Sequence, residues 1–292
     1  MPLPLRQMWV LLWKDLLIDL RRMEHLLAML FFALLTLLIF NFAVGEQGGT
    51  HFRYAERTAQ RLAGEGLPAD TLAALAPLKG VTFTTQAAFL RAVDGQQTAL
   101  TPAQRILVLQ ASRQSFMQII AGGLFWITFL LSGVLGLDRS FGQEREHGAM
   151  DGLLLTPVPR GVLYLGKMAS NAVFLLVISL LVLPPLALLY GVELRGVWAP
   201  LLLIALGGIV GFSALGTLLG GVTASLRGKE VLLPLLLFPL LVPLLLVVVQ
   251  LTDLVLQGEA LWEHRAWLQL LLAFDMVFLI ASYLTFDFVL EA

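Results

Sequence analysis

The sequence predicts an all-α, polytopic membrane protein with six transmembrane helices, an interfacial amphipathic helix before the first of them and a water-facing helical insertion between the first two. Three observations carry this. Hydrophobic residues make up 58% of the 292 and charged residues only 13%, with a mean hydropathy of +0.85, which is membrane-like composition. Apolar runs near the roughly 20 residues that cross hydrocarbon occur at Leu26–Val44, Phe116–Leu137, Met168–Tyr190, Val197–Ala224, Leu232–Leu256 and Trp267–Val289. Lys and Arg are also unevenly shared between the two sets of connecting segments. The net charge of -1 gives no basic field, so nucleic acid is not an expected partner. The absence of cysteine excludes disulfides, thiolate metal sites and thiol nucleophiles.

Residues 1–25 are expected to form a cytoplasmic interfacial helix. Gln7, Lys14, Asp15, Asp19, Arg21 and Arg22 fall within about 160° of a helical wheel, and Trp9 and Trp13 suit the headgroup zone. Because these residues precede a run long enough to span, the first run is expected to be kept as a helix and not cleaved as a signal. Residues 45–115 form the one sizeable polar segment. Helical spacing is present over His51–Glu65, Pro68–Ala76 and Thr82–Val93, and Thr101-Pro102 reads as an N-cap followed by proline at the first helical position, opening a helix into the second span. The cluster Leu62, Leu67, Leu72, Leu75, Phe83, Phe89 and Leu90 is thin for independent folding, so the insertion is expected to pack on the spans or on a partner.

Residues 26–44 and 116–292 make the transmembrane domain. Its fourth span carries Gly207, Gly211, Ser213, Gly216, Thr217, Gly220 and Gly221 at small-xxx-small spacings that allow close helix contact. Pro234, Pro239 and Pro243 in the fifth and Pro184-Pro185 in the third predict kinks. Arg6, Lys14, Arg21, Arg22, Arg139, Arg145, Arg160, Lys167, Arg227 and Lys229 collect on one side, against Arg195 and Arg265 in the short loops of the other. By the positive-inside rule both termini are cytoplasmic and the insertion is extracytoplasmic.

Gly161 to Lys167 fits the first seven positions of a phosphate-binding loop, but Met168 stands where magnesium needs a hydroxyl, and the segment leads into a span; it is read as a decoy. The loop from Asp138 to Arg160 is more informative. Glu144, Arg145 and Glu146 precede Gly148; Met150, Leu153, Leu154 and Leu155 precede Pro157 and Pro159. A short amphipathic helix with a leucine patch of this size suits docking into a soluble partner, or dipping into the membrane interface.

Ser140 to Lys167 resembles the loop of ABC-2 type permeases, in which an E-x-x-G element contacts the ATPase; Glu144 or Glu146, with Gly148, stands there. Asp151-Gly-Leu-Leu-Leu-Thr-Pro157, Tyr164-Leu-Gly-Lys167 and Arg227 to Leu240 are more narrowly similar to the CcmB family, membrane components of the haem exporter of cytochrome c maturation. The resemblance implies a non-enzymatic permease subunit of a bacterial inner-membrane ABC transporter. ATP would sit on a separate ATPase docked through Phe141, Glu144, Arg145, Glu146, Gly148, Asp151, Leu153, Leu154, Leu155, Pro157 and Arg160. It also implies a haem-handling membrane subunit and a haem chaperone as partners, with haem as the transported or handed-over ligand and no covalently bound cofactor. Membrane lipids and a second copy of the chain complete the expected partners. The alternative is an ABC-2 exporter for a glycan, lipid, drug or ion. The CcmB family usually joins the first two spans briefly, so residues 45–115 depart from its pattern.

For ligand contact within this chain, His264 has the most suggestive setting, flanked by Trp262, Arg265 and Trp267, which offer aromatic surface and a cation for a propionate; the same residues make an ordinary interfacial aromatic belt. Asp275 lies about eight residues, roughly 12 Å of helix rise, inside the sixth span. An intramembrane carboxylate is a functional candidate, or one paired with Asn171 or Asn41. Paired carboxylates, a Ser/Lys dyad and metal-spaced histidines are not found in the spans, so an intramembrane enzyme is not expected.

Overall fold

A computed structural model describes residues 9, 12–13, 23–45, 49–96, 100–146, 159–224 and 229–289. Six helices are long and apolar enough to cross a membrane: α1 (Met23–Gly45), α6 (Phe116–Glu146), α7 (Arg160–Tyr190), α8 (Trp198–Ala224), α9 (Lys229–Leu256) and α10 (Arg265–Val289). Five of them contain one of the apolar runs read from the sequence, and α8 contains the fourth run apart from Val197, which lies in the turn before it. The prolines of α7 and α9 fall inside continuous helices, and the whole decoy segment Gly161 to Met168 is helical. Trp9, Leu12 and Trp13 are helical too; the two tryptophans are exposed and stack at 6.4 Å. The remainder of the interfacial helix lies outside the described residues.

The glycine-rich fourth span, α8, is the hub. In its most apolar stretch 67% of residues are buried, against 17% in α10, so α8 is surrounded by protein and α10 faces lipid. The glycines explain how neighbours come this close. A Cβ at Gly208 would stand 2.3 Å from the Trp126 ring of α6, and one at Gly216 equally close to Leu137; at Gly207 it would meet Leu271 of α10 at 2.7 Å. Trp126 stacks edge-on with Phe125 and Phe129, which in turn meets Phe212, and its indole N–H donates to Thr252 of α9 at 2.9 Å. Small residues on one helix thus seat large aromatics of another, the packing that substitutes for a hydrophobic driving force in lipid.

The insertion contains the helices α2 (Glu56–Gly64), α3 (Ala69–Leu75), α4 (Gln86–Gly95) and α5 (Pro102–Ala111). Thr101 forms a full capping box with Gln104, and Pro102 opens α5, as the sequence predicts. Helical spacing alone overlooked a three-stranded antiparallel sheet of order β2-β1-β3, made by β1 (Thr50–Arg53), β2 (Thr82–Phe83) and β3 (Arg113–Ser115). The strand β3, paired to β1 through Phe52 opposite Arg113, stops α5 before the second span, so the two helices do not run together. His51 to Arg53, expected at the start of a helix, are the central strand.

The insertion also has its own core: Phe52, Tyr54, Leu62, Leu67, Leu75, Leu78, Phe89, Val93 and Val108 are buried together. Phe89 is fully buried and Phe83 packs on it edge-on. These residues pack on one another inside the insertion. Burial, and then the charge of Glu56, pushes the Tyr54 phenol up to about 12.

Candidate functional site

Two regions emerge, at opposite ends of the bundle. At one, α6 continues as helix to Glu146, carrying the backbone of Phe141, Glu144, Arg145 and Glu146 beyond the apolar run. Gly148, Asp151, Leu153, Leu154, Leu155 and Pro157 lie outside the described residues. The chain re-enters at Pro159, and Arg160 opens α7. The first turns of α7 are tightly held. A Cβ at Gly161 would overlap the Tyr283 ring of α10 at 2.6 Å; the buried Tyr164 hydroxyl donates to the Ala214 carbonyl of α8 at 3.1 Å, and its ring meets Phe286 at 5.1 Å. The loop is therefore strung between an extended second span and a third span clamped by the fourth and sixth.

At the other end the insertion is seated on the connections between α7 and α8 and between α9 and α10. Arg53 donates to both carboxylate oxygens of Asp253, at 3.0 and 3.3 Å, and Gln257 donates to the same carboxylate at 2.6 Å. The Arg57 backbone N–H donates to the Gln257 carbonyl at 2.8 Å, and its guanidinium to the Glu193 carbonyl at 3.0 Å. Arg61 reaches the Glu193 carboxylate at 3.4 Å. Gly258, at φ +89°, turns the chain against Arg57 so closely that a Cβ would touch its backbone nitrogen at 3.0 Å; both the left-handed conformation and the contact require glycine. A cleft of about 180 Å³ lies between insertion and bundle, lined in part by Arg53, Arg57, Arg61, Arg113, Glu193 and Asp253.

The residues singled out for ligand contact fall in two places, the segment around His264 and the interior of the sixth span. His264 sits in a one-turn 3₁₀ segment with its Nε2 2.6 Å from Glu259. Trp262, Arg265 and Trp267 are exposed beside it, the layout of an interfacial belt. Asp275 is buried in the sixth span against Gly211, whose Cβ would meet its Oδ1 at 2.5 Å, and that oxygen has no hydrogen-bond partner among the described residues. Asn171, which the sequence offered as its partner, instead donates to Thr217 at 3.0 Å. The arginine cleft was missed altogether. Its signal was Arg53, Arg57 and Arg61 at every fourth position of the polar insertion.

The model of the CcmB protein family matches residues 109–291. The chain belongs to the CcmB family. The match begins at the end of α5 and takes in all five spans from α6 onward, leaving most of the insertion outside it. Among curated relatives, heme exporter protein B of Pseudomonas aeruginosa is 32% identical over 157 residues, covering 54% of this chain and 70% of that protein. The Haemophilus influenzae protein of the same name is 34% identical over 127 residues, 44% of this chain and 57% of its own; that of Paracoccus denitrificans is 36% identical over 130, 44% and 58%. No solved structure matches the chain.

Proposed function

We propose that this chain is the membrane subunit of an ABC transporter that exports haem for cytochrome c maturation, driven by a separate ATPase docked on the loop from Phe141 to Arg160. Its membership of the CcmB family, whose curated relatives carry the name heme exporter protein B, is the observation that supports this reading. The architecture agrees with a coupling role, since the loop joins two helices anchored in the bundle. A haem-handling membrane subunit and a haem chaperone complete the complex. In the proposed topology the protein lies in the bacterial inner membrane with both termini cytoplasmic, and the insertion and arginine cleft are extracytoplasmic.

Replacing Glu144 and Glu146 together by Lys should abolish co-purification of the ATPase and, in cells that depend on this chain, the haem-stained c-type cytochromes, while membrane insertion stays normal. Retention of both ATPase binding and cytochrome staining would move the contact elsewhere. Orientation is tested separately in this cysteine-free chain. Asp70→Cys should react with an impermeant thiol reagent in intact cells and Gln143→Cys should not; the reverse pattern inverts the topology. Asp70 is exposed at the start of α3.

A further inference from the structure

The cleft between insertion and spans has a charge surplus. Its lining holds the cations Arg53, Arg57, Arg61 and Arg113 against the carboxylates of Glu193 and Asp253, a balance of +2 from four arginines less two acids. The acids are also already engaged. Asp253 is taken by both arms of Arg53 and by Gln257, and Glu193 is approached by Arg61. Arg57 and Arg113 form no ion pair among the described residues: Arg57 spends one N–H on a backbone carbonyl, and Arg113 has only a long 3.5 Å contact to the Thr50 hydroxyl. Their donors therefore have unused capacity beside an excess of positive charge that the fold creates at this end of the bundle. The Arg53 Nε is also buried without a partner among the described residues.

We propose that this cleft is a binding site for a phosphate or carboxylate group at the membrane surface, with Arg57 and Arg113 as its principal ligands and Arg53 as the fixed wall. Guanidinium forks match planar or tetrahedral oxyanions with paired charge-assisted hydrogen bonds. The volume of about 180 Å³ is below the range for drug-sized ligands, so the site takes a head group while any ring or chain stays outside. Its position fits that. The lining includes Gln118 and Ile119 at the start of the second span and Leu256 at the end of the fifth, placing the anion level with lipid head groups. Because Arg57 and Arg61 hold Glu193 on the connection between α7 and α8, and Arg53 holds Asp253 on α9, an anion here would bridge the insertion to the spans. The proposal is independent of the transport reading above.

The test uses the full chain in dodecyl maltoside, whose head group carries neither phosphate nor carboxylate, with thermal unfolding followed under three additions: inorganic phosphate at constant ionic strength, phosphatidylglycerol in mixed micelles, and haem as a carboxylate-bearing amphiphile. A saturable rise in melting temperature with any of them is expected. The apparent Kd should weaken at least about tenfold in Arg57→Gln/Arg113→Gln, as loss of two charge-assisted contacts implies, and by less in the double lysine variant, which keeps charge but not the fork. Arg91→Gln, elsewhere in the insertion, should leave it unchanged. Which addition acts identifies the source: phosphate alone a free anion, phosphatidylglycerol a lipid, haem alone a propionate. Absence of a saturable response to all three in the native protein overturns the proposal whatever the variants do, as does a response that survives the glutamine pair or is lost equally in Arg91→Gln.

Discussion

Gly208→Ala should lower the apparent melting temperature in detergent by roughly 5–10 °C, from an overpacking cost of about 3 kcal/mol. The methyl group would stand 2.3 Å from Cη2 and 2.5 Å from Cζ3 of Trp126, with Val248 at 3.3 Å behind it. Trp126 has nowhere to go: it is almost fully buried between Phe125 and Phe129 and tied to Thr252. Trp126→Phe removes the two clashing atoms and also the indole hydrogen bond, so alone it should destabilise. Combined with Gly208→Ala it should recover part of the loss, giving a coupling of about 1 kcal/mol or more between neighbours. Strict additivity in thermal melts of the four proteins would mean that the fourth span adjusts by moving, and that its glycines are not what sets its distance from the second.

The spans were legible because length and apolarity are local properties. Each described span matches its predicted run to within a residue at the fourth, and α6 continues as helix past its run from Asp138 to Glu146. The role of the α8 glycines was legible as a class, since small residues three or four apart form one face, but not their partners: nothing near Gly208 names Trp126. In the insertion the limit was sequence distance. Thr101-Pro102 gave α5 correctly because capping is settled within four residues. β1 and β3 are short strands stabilised by partners some 60 residues away, and His51 to Arg53 have too few residues to set strand against helix periodicity. The same distance hid the clasp. Arg53 and Asp253 are ordinary residues in their own neighbourhoods and become a site only when the insertion folds back over the fifth span.

That clasp carries the second large effect. The Arg53 side chain is 12% exposed and that of Asp253 27%, so most of the desolvation of both charges has already been incurred, and removing one leaves the other underpaired. Arg53→Met should cost about 3 kcal/mol, and Asp253→Leu a similar amount, since it leaves the guanidinium facing only Gln257 and the cleft. The double replacement Arg53→Met/Asp253→Leu leaves neither charge stranded and should be less damaging than either single change, because apolar residues of similar size often replace a buried ion pair at little cost. The damage should be local. The insertion keeps a core of its own around Phe89 and Tyr54, so the single variants should release it from the bundle as a folded unit. Hydrogen exchange should then rise first at the Arg57 amide, which donates to Gln257, while the amide of Phe89 inside α4 stays protected. If the Phe89 amide exchanges as early as that of Arg57, the insertion depends on docking for its fold, and the clasp is part of its core and not its attachment.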